Sequence, residues 1–143
     1  MTLKNLINNI SDLAISEKIV HSALAGTSLY QINPQTIKDY PAIFIAPTGQ
    51  HLVTDNYTTY EISLYYFDRL LEDNTNDIDI YSASIEELKN LIRKIEAIPT
   101  VYKVEDGYRI TNFADTESFN DRLAGSYTTI DIVTINTEIC PVD

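Results

Sequence analysis

The chain of 143 residues is poor in the residues that do chemistry. It holds one cysteine, Cys140, and two histidines, His21 and His51. A single cysteine excludes an internal disulfide and sets no requirement for an oxidising compartment, so synthesis in a cytoplasm is expected. So few sulfur and imidazole ligands leave little from which to build a structural zinc site. Cys140 sits near the C-terminus, a poor place for a preorganised nucleophile. Tryptophan is absent, and only 4 glycines and 5 prolines punctuate the chain, which argues against long disordered tracts. No apolar run approaches the roughly 18 residues of a membrane span, and Met1-Thr2-Leu3-Lys4-Asn5 lacks the apolar stretch of a secretion signal. Cations are scarce too: 10 Lys and Arg against 21 Asp and Glu give a formal net charge of −11. Binding to a phosphate backbone depends on cations that release counterions, so this balance opposes nucleic-acid binding. Phosphate-loop, GxSxG and GxGxxG patterns are also missing.

What the chain does have is hydrophobic periodicity. Hydrophobic residues make up 44 % of it, enough for one packed domain spanning 1–143. The organising stretch runs from Tyr57 to Ile98. Its first part alternates: Tyr60, Ile62, Leu64 and Tyr66 fall on one face, and Thr59, Glu61, Ser63, Tyr65 and Phe67 on the other. This period of two in β-branched and aromatic residues predicts a long strand over Val53–Asp68. Further on, Tyr81, Ile85, Leu88, Ile92 and Ile95 form one helical stripe that Pro99 ends. A start near Asp77 is preferred, because Ile78 and Tyr81 extend the stripe; the alternative is the capping-box pattern at Ser84-Ile85-Glu86-Glu87.

The rest of the chain supplies a sheet for that helix. Leu3, Leu6, Ile7, Ile10 and Leu13 predict a short helix over about residues 2–14. Ile19–Ala25 reads as a short strand, and Pro34 as the first position of a single helical turn. Tyr40–Pro47 is an apolar strand bounded by prolines, and Thr48-Gly49-Gln50 reads as the turn of a hairpin with the long strand. Val101–Val104 and Tyr108–Phe113, on either side of Glu105-Asp106-Gly107, read as a second hairpin. Ala114–Asn120 reads as a polar connection, Asp121–Ile139 as a last β-rich run, with Gly125 permitting a bend or bulge. The expected class is α+β: a mostly antiparallel sheet of four to six strands against one long helix, with a short N-terminal helix beside it.

Three features invite a functional reading. In the acidic stretch 72–79, Asp73, Thr75, Asp77 and Asp79 have the alternate spacing of oxygen ligands. Ile78 stands where a calcium loop needs glycine, and Ser84 where it needs glutamate. A solvated loop favouring the next helix N-terminus accounts for the same residues. The ten tyrosines lack interleaved cations, which speaks against base stacking; tyrosines on both faces of a strand suit a core on one side and a protein interface on the other. Asp68-Arg69 and Asp121-Arg122 read as salt bridges or subunit contacts. A carboxylate-based hydrolase is the weakest reading, because the sequence offers no acids that can be paired in one pocket.

Several segments, in order, resemble the small neck and tail-completion proteins of tailed bacteriophages, particularly those of phages with Bacteroides-type hosts. They are Tyr40-Pro41 with Ile43-Phe44-Ile45 and Pro47, Tyr65-Tyr66-Phe67-Asp68-Arg69, and Asp73-Asn74-Thr75-Asn76 with Ile80-Tyr81-Ser82. Phe119, Leu123-Ala124-Gly125 and Ile130-Asp131-Ile132 through to Cys140 complete the resemblance, which covers most of the chain after about residue 20. It implies a fold like that of tail terminators and a homo-oligomeric ring, six- or twelve-fold, around the axis of DNA passage. It also implies portal, connector or tail proteins as neighbours, a place in the virion, no membrane, and DNA that passes without specific binding. No cofactor, metal or catalytic activity is expected. The alternative is a small-ligand or calcium-binding module using residues 72–79. Candidate contact residues are Tyr57, Thr59, Glu61, Tyr65, Asp68 and Arg69 on or beside the long strand, and Tyr127, Thr129 and Asp131 on the last strand.

Overall fold

A computed structural model describes residues 1–27, 39–71, 75–115 and 122–136. Helix α1 (Leu3–Ser16) is followed by strands β1 (Ser22–Ala25), β2 (Ala42–Val53) and β3 (Tyr57–Arg69). Helix α2 (Asp77–Glu96) and strands β4 (Val101–Val104), β5 (Thr111–Asp115) and β6 (Leu123–Ile135) complete the order. The six strands form one sheet in the order β1-β2-β3-β6-β4, with β5 also on β6.

The α+β class is as expected, but the sheet is mixed rather than mostly antiparallel, because β1 runs parallel to β2. Residues 26–41 carry the chain from one strand to the next, far more than a hairpin loop, and a connection of that length allows a parallel return. The single helical turn expected at Pro34 lies outside the described residues.

Helix α1 begins at Thr2, whose hydroxyl accepts from the backbone N–H of Asn5 at 3.1 Å. Its buried stripe is Leu6, Ile10 and Ala14. Beyond it Lys18 adopts φ 59, and the Ala14 carbonyl accepts from the N–H groups of Ile19 and Val20. That reversal tucks Ile19 and Val20 into the core and aims the chain into β1.

Strands β2 and β3 form the expected hairpin, but its turn is elsewhere. Thr48-Gly49-Gln50 is a bulge: the register shifts between Pro47 and His51, and Gly49 has φ 94. A positive-φ glycine is the signature of a bulge as well as of a turn, which is why the sequence pattern misleads here. The reversal falls at residues 54–56, where Thr54 Oγ1 accepts from the N–H of Tyr57 at 3.1 Å and donates to its carbonyl at 3.0 Å.

The expected second hairpin is also corrected. Strands β4 and β5 pair with β6 rather than forming a hairpin with each other, β4 against Ile132–Thr134 and β5 against Leu123–Tyr127. The other edge of β6 is taken by β3 along thirteen matched residues. A strand as long as β6 has room for both short strands along its remaining edge. Gly125 carries no bend; it sits in register between Phe67 and Phe113. A Cβ there would collide with the Tyr66 carbonyl oxygen and lie 2.7 Å from Phe67 Cα, so the close approach of β3 requires glycine.

Helix α2 starts at Asp77, as preferred. Asn76 precedes it without capping; its side chain instead accepts from the Leu71 N–H at 2.9 Å and donates to the Arg69 carbonyl at 3.1 Å. Leu88, Ile92 and Ile95 are buried with Ile80, Ser84 and Leu91, while Tyr81 and Ile85 flank them half-buried. Ile78 does not extend the stripe, being 73 % exposed. Ser84 is not a cap; its hydroxyl lies 2.6 Å from that of Ser126 in the interior.

Both helices cover one face of the sheet, α1 over β1 and β2, α2 over β3, β4 and β6. Between the layers lies an aliphatic core built from Leu6, Ile10, Ile43, Ile45, Ile62, Leu64, Leu88, Ile92, Ile130 and Ile132. No described helix is long and apolar enough to cross a membrane.

Candidate interface on the open face of the sheet

The face turned away from the helices carries most of the residues expected to make contacts. Alternation along β3 puts Tyr57, Thr59, Glu61 and Tyr65 opposite the core positions Ile62, Leu64 and Tyr66. The antiparallel register then sets Glu61 against Asp131, Ser63 against Thr129, and Tyr65 against Tyr127. The Tyr65 and Tyr127 rings stack, with centroids 5.3 Å apart and planes at 22°. Phe113 of β5 and Phe44 of β2 meet Tyr65 edge-on. The hydroxyls of Ser63 and Thr129 bond at 2.8 Å. At the far end, Tyr57 meets Tyr102 of β4 at 5.2 Å.

Asp68 does not join this group. It takes a helix-face position beside Tyr66 and Leu70, and its carboxylate accepts from the backbone N–H of Arg69 at 2.7 Å. Arg69 lies at the opposite end of the open face, its guanidinium 5.0 Å from the centre of the Tyr40 ring. Asp121, Cys140 and the acids Glu72 and Asp73 fall outside the described residues. Asp77 and Asp79 stand in the first turn of α2, and Asp77 Oδ1 accepts from the N–H of Ile78 at 2.7 Å. Among the described residues, no group of three or more His, Cys, Asp or Glu is placed to hold a metal ion.

One expectation about the acids is overturned. Glu61 and Asp131 are direct cross-strand neighbours and share a cavity of about 290 Å³ with Gln50, His51, Leu52 and Thr59. The sequence could not show this, because the two acids stand 70 positions apart in the chain and only the β3–β6 register joins them. Glu61 Oε1 accepts from Thr48 Oγ1 at 2.6 Å. Partial burial, then the neighbouring charges of Glu61 and Glu105, push the Asp131 carboxyl above its usual value. Two like charges so placed repel each other and favour a positive group or a shared proton between them. The same burial logic raises the Tyr65 hydroxyl, with Tyr127 second. On the covered face Tyr66 is raised further, by burial first and then by Asp68 and Glu87.

Sequence reasoning missed Leu52, Tyr102, Lys103 and Phe113 as surface-forming residues. Leu52 was hidden by the misplaced turn, and the other three by the assumption that β4 and β5 pair with each other.

The fold and face together define a two-layer α+β domain with one helix-covered and one helix-free sheet surface among the described residues. No family model and no curated protein matches the sequence.

Proposed function

We propose that this chain is a structural ring subunit of the neck or tail of a tailed bacteriophage, joining portal or connector to tail around the DNA channel. The observation that carries the reading is the open sheet face. Seven of the nine candidate contact residues, Tyr57, Thr59, Glu61, Tyr65, Tyr127, Thr129 and Asp131, lie together on it. A face rich in tyrosine and, among the described residues, free of helices suits protein contacts. The ordered motifs that resemble phage neck proteins supply the particular assembly. A closed ring uses a heterologous contact, one patch of each subunit meeting a different patch on its neighbour. A formal charge of −11 keeps the subunit from gripping the DNA that passes. In this reading the protein has no catalytic role and assembles in the host cytoplasm into the virion. The Glu61–Asp131 pair then serves contact rather than chemistry.

The test is a reconstruction of the parent particle. The expected result is this chain in six or twelve copies around the DNA axis. A single copy, or copies off the axis, overturns the reading.

A further inference from the structure

The sheet ends in two dissimilar edges at the level of Glu61 and Asp131. On one side is the second half of β2. Strand β1 pairs with β2 from Ala42 to Ile45, and the Gly26 N–H donates to the Ile45 carbonyl just beyond it. From Thr48 to Val53 no described strand lies outside β2, and every residue of that run is exposed, Leu52 at 64 % and Val53 at 69 %. The run Thr-Gly-Gln-His-Leu-Val has no Lys, Glu or Pro. Edges left to solvent are ordinarily guarded by such residues or by a bulge; the bulge at Thr48-Gly49-Gln50 interrupts the first half of this run, and His51–Val53, regularly paired with β3, is the part suited to receive a strand.

On the other side, at the same end of the sheet, the edge is β4. It pairs with Ile132–Thr134, and a register shift lies between Val101 and Lys103. Val101 and Val104 are buried in the core, while Lys103 is matched to Val133 on the open face and Tyr102 packs against Tyr57 there, the rings tilted by 39°. Both Tyr102 and Lys103 are exposed, Tyr102 at 58 %. Within its own chain Lys103 meets Glu105 at 3.4 Å in solvent, a pairing of small worth.

The strand directions alternate from β2 through β3 and β6 to β4. A second copy set beside the first in the same orientation therefore brings its β4 antiparallel to the free half of β2. That contact carries a lysine on the open face toward the cavity where Glu61 and Asp131 stand opposed. We propose that neighbouring copies join by this edge pairing, β4 of one against His51–Val53 of the next, with Lys103 answering Glu61 of the Glu61–Asp131 pair. The proposal rests on the ring reading and names the contact within it. The two edges differ, so the pairing is head-to-tail and propagates around a ring. A contact of so few residues is weak between two copies and gains its strength on closure.

The test mixes full-length protein of ordinary and heavy isotopic mass at high concentration and treats it with a carbodiimide, which joins lysine to carboxylate. Linked peptides are then weighed. The expected result is mixed-mass links from Lys103 to Glu61, lost in Lys103→Gln. Lys103→Glu weakens self-association about tenfold or more, and Glu61→Lys combined with it restores association. Circular dichroism verifies that each variant is folded. Absence of mixed links overturns the edge pairing, as do mixed links joining β2 to β2. If the particle still shows a ring, the ring reading stands and this contact alone is wrong. If the particle shows none, both fail.

Discussion

The two faces of the sheet are written by the same strands and behave oppositely. On the covered face β3 and β6 present Ile62, Leu64, Ile130 and Ile132, fully or almost fully buried beneath the helices. On the open face the alternate residues are Glu61 and Tyr65 against Asp131 and Tyr127. One side is dry and aliphatic along its whole length. The other is divided: Phe44, Phe67 and Leu123 are buried in a second, smaller cluster at one end, while the part around Glu61, Tyr65, Tyr127 and Asp131 is aromatic and acidic and holds like charges together at a cost. Features that a lone domain does not need are thus concentrated on one surface.

The largest expected effect comes from the residue that lets β3 and β6 approach. Gly125→Ala would drive a methyl into the β3 backbone and is expected to cost about 4 kcal/mol or more, or to prevent folding. A denaturant midpoint near that of the parent would show that the strands have room to part.

Truncations on the two faces give the next contrast. Leu88→Ala and Ile92→Ala on the covered side are expected to cost about 2–5 kcal/mol each through lost burial and a cavity. Tyr127→Ala on the open side is expected to cost about 1 kcal/mol in the isolated chain, losing chiefly its stacking on Tyr65. Equal losses in urea melts would sink the division into a stabilising and a contact face.

A smaller gain is expected at Thr128. Its side chain is buried at a covered-face position opposite Leu64, and its hydroxyl has no hydrogen-bond partner. Thr128→Val keeps the shape, removes the unsatisfied oxygen and is expected to add about 1 kcal/mol. A destabilised variant would mean that the hydroxyl is bonded after all.

The smallest effect is a matter of pH. The Asp131 carboxyl is raised in the fold, so between its ordinary value and its folded value the native chain holds more protons than the unfolded one. Stability therefore falls as pH rises through that window. Asp131→Asn is expected to add about 0.2–1 kcal/mol at neutral pH by relieving the repulsion from Glu61, and to add nothing once both acids are protonated. The same gain at every pH would show that the pair does not interact.

Much of the covered layer could be read directly. The 3.6-residue spacing of Leu88, Ile92 and Ile95 and the two-residue spacing of Ile62, Leu64 and Tyr66 each belong to a single element, so local pattern sufficed. Both helices and the long strand followed from it, the helix ends shifted by a residue or two and the start of the strand by four, from Val53 to Tyr57. Most of the misreadings concern partners; Ile78, exposed rather than part of the helix stripe, is an exception. Gly49 and Gly107 both have positive φ, yet one sits in a bulge and the other in a link that returns the chain to the same edge of β6. A glycine signal marks a backbone need without saying which strand comes next.

The amino-acid pattern alone therefore determined which segments are helix or strand, which face of β3 is oily, and that the protein is acidic and poor in chemical groups. These depend on neighbours within a few residues. Tertiary structure alone decided that β1 is parallel, that β4 and β5 share an edge, and that Glu61 faces Asp131. Each of these depends on pairing between residues far apart in the chain, where the backbone hydrogen bonds are alike for every residue and the register is chosen by the fit of the whole sheet against its helices.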